Sequence, residues 1–250
     1  MLNEPTMDKL KGLRLDVMAA AWAEQQKRTE MTKLAFDERF GLLVDAESLF
    51  RENRRLARLL KEAKLKLGQA CVEDIDYPPK RELDKSLIRQ LATCRWVQEH
   101  QNVIVTGPTG VGKTYVACAL AQHACRRGSS AIYRRASRLF DELTLARADG
   151  SYARLLAKLA RTDVMVIDDW ALTPSREPER QDLLEILEDR YGTRSTIMTS
   201  QIEAKEWHDY LGDATVADAI LDRILHNAHR VVIKGPSRRK EKGKEETTGK

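Results

Sequence analysis

Gly107, Gly110, Gly112, Lys113 and Thr114 have the spacing in this chain that points most directly to chemistry, in the run GPTGVGKT. That run fits G-x-x-x-x-G-K-[ST], a loop that cradles phosphates. Phosphate oxygens must meet backbone N–H groups at close range, and residues without a Cβ let the chain curl around them. Lys113 is then placed to reach the β and γ phosphates, and the Thr114 hydroxyl to ligate Mg²⁺. Pro108, Thr109 and Val111 complete the loop and Tyr115 follows it, so residues 107–115 form the expected triphosphate-binding segment. A second candidate is the acid pair Asp168-Asp169 that ends VMVIDDW. Mg²⁺ takes oxygen ligands, so Asp168 can hold the metal beside Thr114. Asp169 can orient and partly deprotonate an attacking water. The plainer alternative, a turn built on Asp-Asp, fits poorly with the apolar run before it.

These side chains need elements to position them. Val103–Thr106 reads as a buried strand leading into the loop, and residues 115–127 as the helix leaving it, whose free N–H groups and dipole favour an anion. VMVIDDW is apolar on both faces, as a central parallel strand is, and its tip belongs at the crevice where α/β ligands bind. Further strands are expected at residues 131–133, 195–199 and 230–233, and helices at 86–98, 138–148 (capped by Ser137), 152–161, 179–191, 203–211 and 214–227. Ser200 and Gln201 would bring polar groups to the γ-phosphate end, between the loop strand and the acidic strand.

Ahead of this lies a helical stretch with only Gly12 and Gly41 as interior breakers. Leu10, Leu13 and Val17 suggest a first helix to about Gln26, Phe36, Phe40 and Leu43 a second, and Leu56, Leu59, Leu60, Ala63 and Leu67 the core face of a third. On another face of the third, Arg51, Arg54, Arg55, Arg58 and Lys61 recur at three- and four-residue spacing. Such a row is often a plain solvated face. Beside a nucleotide motif, the favoured partner is the duplex DNA backbone. Tyr77-Pro78-Pro79 breaks the helical pattern. The expected organisation is residues 1–70 as a helical DNA-binding domain, 71–81 as a linker, 82–235 as a nucleotide domain and 236–250 as a basic, disordered tail.

The 250 residues carry a net charge of +5 with 32% charged side chains, which suits a soluble chain and a polyanionic partner without proving one. No apolar run is long enough to span a membrane, and no signal peptide is evident. The four cysteines form no C-x-x-C pair and read as reduced thiols. The five histidines show no ligand spacing. Trp22, Trp96, Trp170 and Trp207 read as packing residues. Arg190 and Arg194 are placed either at a subunit boundary or in surface ion pairs.

The order of these motifs resembles the IstB family, helper ATPases of bacterial insertion-sequence transposition and AAA+ relatives of the DnaC-type helicase loaders. The resemblance rests on NVIVTGPTGVGKTYVACALAQHA, VMVIDDW, DRYGTRSTIMTSQ, the helix at Trp207, AILDRILHNA and GPSRR, with DKLKGLRLDVMAAAW and ESLFRENRRLARLLKEAKLK upstream. It implies an α/β fold: a small all-helical N-terminal domain, then a RecA-like AAA+ P-loop domain with a five-stranded parallel sheet. It implies ATP and Mg²⁺ as cofactors, with the loop as Walker A and Asp168 and Asp169 as Walker B. Gln201 stands at the sensor position, where the family often has Asn. Arg223, in Asp-Arg-Ile, matches the arginine finger given to a neighbouring subunit; from the residues alone it equally reads as a surface arginine paired with Asp222 or Asp218. The family's Gly-x-Ser-Tyr-Arg is replaced by Gly235-Pro-Ser-Arg238-Arg239, so no role is carried to Arg238, and Arg239 is at most a phosphate or interface contact. The expectation is therefore an ATPase that oligomerises on duplex DNA in the bacterial cytoplasm and recruits or stimulates a cognate transposase. No D-D-E signature is evident, so the chain would not cut DNA itself. The rival is a DnaC-like loader of a replicative helicase; a P-loop small-molecule kinase fits less well.

Overall fold

A break at Gly12 sets the start of the chain. In the computed structural model, which describes residues 4–172 and 175–238, α1 (Glu4–Gly12) ends there. Arg14 turns through a left-handed φ of 58°, and α2 (Asp16–Lys27) begins. One helix to Gln26 was the expectation. Two form because the reversal lets a distant acid cap the second: Val17 N and Met18 N donate to Glu47 Oε2 at 3.1 and 3.0 Å. The expected second and third helices are instead one, α3 (Phe36–Ala63). Gly41 alone costs a helix only about 1 kcal/mol, and no proline intervenes. Phe36 and Phe40 do not enter a core: they stay 69% and 50% exposed and stack on each other. Leu59 and Ala63 are buried as expected.

By internal packing the chain divides into two units, Met1–Arg58 and Leu59–Lys250. The division falls inside α3, ahead of the Pro78-Pro79 segment, which belongs to the second unit.

The second unit continues with α4 (Lys85–Leu91) and α5 (Arg95–Gln98). A single helix was expected over these residues; Cys94, at φ 59°, breaks it. Then follow β1 (Asn102–Thr106), α6 (Lys113–Arg126), β2 (Ala131–Arg135), α7 (Ala136–Asp149), α8 (Tyr152–Arg161), β3 (Val164–Trp170), α9 (Glu177–Arg190), β4 (Ser195–Ser200), α10 (Trp207–Leu211), α11 (Ala214–Leu225) and β5 (Ala228–Val232). Ser137 lies within α7 and does not cap it. The strands form one parallel sheet in the order β2-β3-β4-β1-β5. β1, β3 and β4 are buried almost throughout, which explains why their sequences are apolar or small on both faces. α6 is likewise buried on most of its surface, and its run of Ala and Cys lets it sit close to the sheet.

Aromatic packing braces the acid-tipped strand. Trp170 meets Phe140, Trp207 and Tyr210 with ring centroids 6.4, 6.3 and 5.6 Å apart. Arg190 is neither an interface nor a surface residue. It is 1% exposed and donates to the carbonyls of Thr162 and Ser195 at 2.8 and 2.5 Å and to Thr196 Oγ1 at 3.0 Å. Burial lowers its pKa to about 9. A planar fork answered by that many oxygens ties α9 to the entry of β4. Arg194 does lie at the surface, 3.6 Å from Asp163.

Candidate nucleotide site

β1 delivers the chain to Gly107 at the C-terminal edge of the sheet, and α6 takes over at Lys113. Between them the loop needs left-handed turns. Gly110 (φ 84°) faces Ser237, whose side chain occupies the space a Cβ would need. Gly112 (φ 103°) has the Arg81 guanidinium 2.9 Å from its missing Cβ. Larger residues at either position would be strained and would displace a neighbour. Lys113 Nζ donates to the carbonyls of Gly107 and Pro108 at 2.7 and 2.8 Å. These contacts curl the loop around its own lysine, and its left-handed glycines leave the backbone free to form an anion nest.

Asp168 is fully buried, and three hydroxyls converge on it. Thr114 Oγ1 lies 2.9 and 3.1 Å from its two oxygens. Thr199 Oγ1 donates to Oδ1 at 2.6 Å and Tyr133 Oη to Oδ2 at 2.6 Å. Burial first, and then this bond, push the Tyr133 pKa upward, so the phenol remains a donor. Lys66 Nζ stands 3.8 Å from Oδ2. Mg²⁺ fits this chemistry: a carboxylate and a threonine hydroxyl are hard oxygen donors, already paired and set beside the phosphate loop.

Asp169 is placed differently. The β3–β4 ladder shifts register between Ile167 and Trp170, and Asp169 adopts φ 59°. Such a bulge re-aims a side chain, and Asp is among the residues that tolerate the conformation. Its N–H donates to Thr199 Oγ1 at 3.0 Å, and its carboxylate pairs with Arg135 Nε at 3.0 Å. Gln201, just past β4, accepts through Oε1 from Thr109 Oγ1 at 2.7 Å, so its amide reaches the loop. Because β4 lies between β1 and β3, that tip sits between loop and acids, as its sequence position suggested.

Thus Lys113, Thr114, Asp168, Asp169 and Gln201 come together around a cleft of about 480 Å³, with Tyr115 also in its wall. Arg223 does not join them. Its carbonyl accepts from Asn102 Nδ2 at 3.1 Å, and Asn102 opens β1 at the end opposite the loop. Its guanidinium pairs with Glu188 and donates to Ala219 O. Arg54, Arg55, Arg58 and Lys61 are exposed on α3; Arg51 is exposed as well but is bonded to Glu47 Oε1 and Arg14 O at 2.7 and 2.9 Å.

Sequence reasoning missed several residues that shape the cleft: Tyr133, Thr199, Lys66, Arg135, Arg81 and Arg238. Arg81 is buried, and its guanidinium donates to Val111 O inside the loop. Arg238 lines the cleft; its N–H donates to Gly110 O at 3.0 Å, and its side chain pairs with Asp76. None of these is marked by spacing, since each arrives from a separate part of the chain. Only Thr199 carried a hint, as a polar residue near the tip of an otherwise apolar strand. Arg239 and the tail beyond it lie outside the described residues.

A phosphate loop between β1 and α6, an acid-tipped strand one place removed, and this strand order define a P-loop nucleotide-binding protein of the AAA+ class. The family described as IstB-like ATP binding protein matches residues 8–246, and the chain belongs to it. The chain is 48% identical over 240 residues to y4pL of Sinorhizobium fredii, a protein named for an insertion sequence and for ATP binding, covering 96% of this chain and 98% of that one. A similarly named IS1162 protein of Pseudomonas fluorescens is 49% identical over 202 residues, covering 81% and 87%. Among solved structures the fold matches DnaI (TM-score 0.58, 22% identity, 71% of this chain and 94% of that one). It also matches the DnaC helicase loader (TM-score 0.53, 23% identity, 66% and 97%). Among the described residues, no helix is long and apolar enough to cross a membrane.

Proposed function

We propose that this protein is an ATPase that assembles on duplex DNA and serves as a helper in insertion-sequence transposition. The observation that carries the reading is the Thr114–Asp168 contact beside the P-loop, with Asp169 on the next residue. In this reading the loop N–H groups and Lys113 bind the phosphates of ATP, and Thr114 and Asp168 hold Mg²⁺. The metal supplies neutralisation of charge on the β and γ oxygens. Asp169 receives a proton from the attacking water once Arg135 yields its hold, and the Gln201 amide orients that water.

The finger for the reaction comes from a second copy. Arg223 sits at the wrong end of β1 to serve its own cleft, and its carboxylate partners, Glu188 and Asp222 (4.0 Å), lie at the surface. ATP therefore lies at a junction between subunits, and binding favours assembly. Exposed basic residues of α3, Arg54, Arg55 and Arg58 with Lys61, contact the DNA backbone; Arg51 contributes through the hold it keeps on the helix pair. Names of the relatives tie them to insertion sequences, which favours a cognate transposase in a bacterial cytoplasm over a replicative helicase as the partner. The fold shared with DnaC and DnaI is common to both readings.

The test is hydrolysis in mixtures. Arg223→Ala and Asp169→Asn should each bind ATP and each hydrolyse it at least about 10³-fold more slowly than the unaltered chain. Mixed together they should recover activity, because the Asp169→Asn copies still offer a finger to intact Arg223→Ala sites. Failure of every mixing ratio to restore turnover would refute the shared site.

A further inference from the structure

The segment just after α3 reaches into the nucleotide cleft, and neither the family pattern nor the motif spacing assigns it a role. Lys66 and Leu67 form part of the cleft wall with Lys113, Thr114 and Asp169. Lys66 Nζ lies 3.8 Å from Asp168 Oδ2, and Asp168 is the fully buried acid beside Thr114. Its other close partners, Thr114, Thr199 and Tyr133, are neutral hydroxyls. Lys66 is a cation paired with this carboxylate, and it stays 41% exposed, so it can leave.

We infer that Lys66 is a nucleotide-site residue that holds the place of the metal: its ammonium and Mg²⁺ compete for Asp168. This rests on the ATP and Mg²⁺ reading above. A buried carboxylate needs positive charge nearby. An ammonium supplies one unit at 3.8 Å. A divalent ion held at the carboxylate would supply two. Both cannot stay, since the ion would face a like charge across a few ångströms of poorly screened space. The lysine's flexible four-carbon stem then lets its ammonium leave Asp168 for solvent. Lys66 lies three residues beyond the end of α3, the helix with the basic row. Departure of its ammonium from Asp168 therefore reports metal–nucleotide binding to the stretch that ends that helix.

Binding of a fluorescent, non-hydrolysable ATP analogue to the full-length chain, titrated with Mg²⁺, tests the inference without relying on turnover. Lys66→Met and Lys66→Gln remove the competitor and should lower the Mg²⁺ concentration for half-maximal binding about three- to tenfold. Lys66→Arg keeps the charge and should stay near the unaltered chain. Two neutral variants guard against one that folds poorly. Unchanged Mg²⁺ midpoints in both neutral variants, or a midpoint in Lys66→Arg that falls with theirs, would overturn the competition. If the unaltered chain bound no nucleotide at any Mg²⁺ level, the ATP reading itself would fail, and this inference with it.

Discussion

Asp168 has a carboxylate at 0% exposure whose closest partners are hydroxyls at 2.6 to 3.1 Å. Hydroxyls can rotate away or turn a lone pair toward a metal, which a guanidinium cannot do. The site is therefore built to exchange partners at Asp168, while the loop a few ångströms away is built to stay put. Lys113 likewise exchanges partners: it bonds two loop carbonyls and is placed to trade them for phosphate oxygens. Lys113→Ala should weaken ATP binding roughly 10- to 100-fold, the worth of one charge-assisted bond of about 1.5–3 kcal/mol. Equilibrium binding of labelled ATP measures this; unaltered affinity would place the phosphates elsewhere. Residues of the loop and the Asp-Asp pair were legible in the sequence because their chemistry is local: consecutive residues on one turn or one strand tip. Tyr133, Thr199 and Arg81 were not, because they meet the site only once β2, β4 and the segment before α4 are assembled around it.

Among the elements, α2 and α3 show what periodicity does and does not reveal. The apolar spacing of residues 10–17 described a helix, yet the helix breaks at Gly12 because Glu47 offers the second half a cap. Hydrogen bonds from Arg51 and from Met18 N–H hold the Glu47 pKa below its ordinary value of 4.5. A carboxylate whose pKa is lowered by folding stabilises the folded form at pH above its ordinary value, and that contribution is lost as pH falls through the folded pKa. Urea denaturation followed by helical circular dichroism should show the unaltered chain losing stability on going from pH 7 to pH 3. Glu47→Gln should start less stable and lose less over the same range; an equal acid loss in both would remove Glu47 from the cause. The core side of α3 was readable at Leu59 and Ala63, but Phe36 and Phe40 show that an apolar stripe need not be buried. Whether the basic face of α3 meets DNA is a matter of salt. Arg54→Gln, Arg55→Gln and Arg58→Gln together should weaken duplex binding alike for all sequences and flatten the log–log salt slope by up to about 3, near 0.9 for each phosphate that is no longer neutralised. An unaltered slope would move the DNA-binding surface off this helix.

At the scale of the whole molecule, the sheet separates the cleft from Arg223, which the proposed function assigns to one reaction. The loop, the acids and Gln201 lie at the C-terminal edge, while Arg223 is anchored at the start of β1. Under the proposed function, cleft and finger lie at opposite ends of a strand, which suits head-to-tail assembly, in which each copy completes the next. The α/β class was readable from alternating strands and helices, and β4 was expected between the loop strand and the acidic strand; the full strand order came only with the structure. The finger role of Arg223 came from the family resemblance, while the residues alone left it equally a surface ion pair; its place at the far end of β1 supports the proposed need for a neighbour. The most direct measurement is sedimentation velocity of the full-length chain with duplex DNA, in Mg²⁺ with a non-hydrolysable ATP analogue and in Mg²⁺ with ADP. The account predicts a large protein–DNA assembly with the triphosphate that shrinks toward single copies with ADP. A chain that sediments as a monomer in both nucleotides, with DNA present, would contradict it.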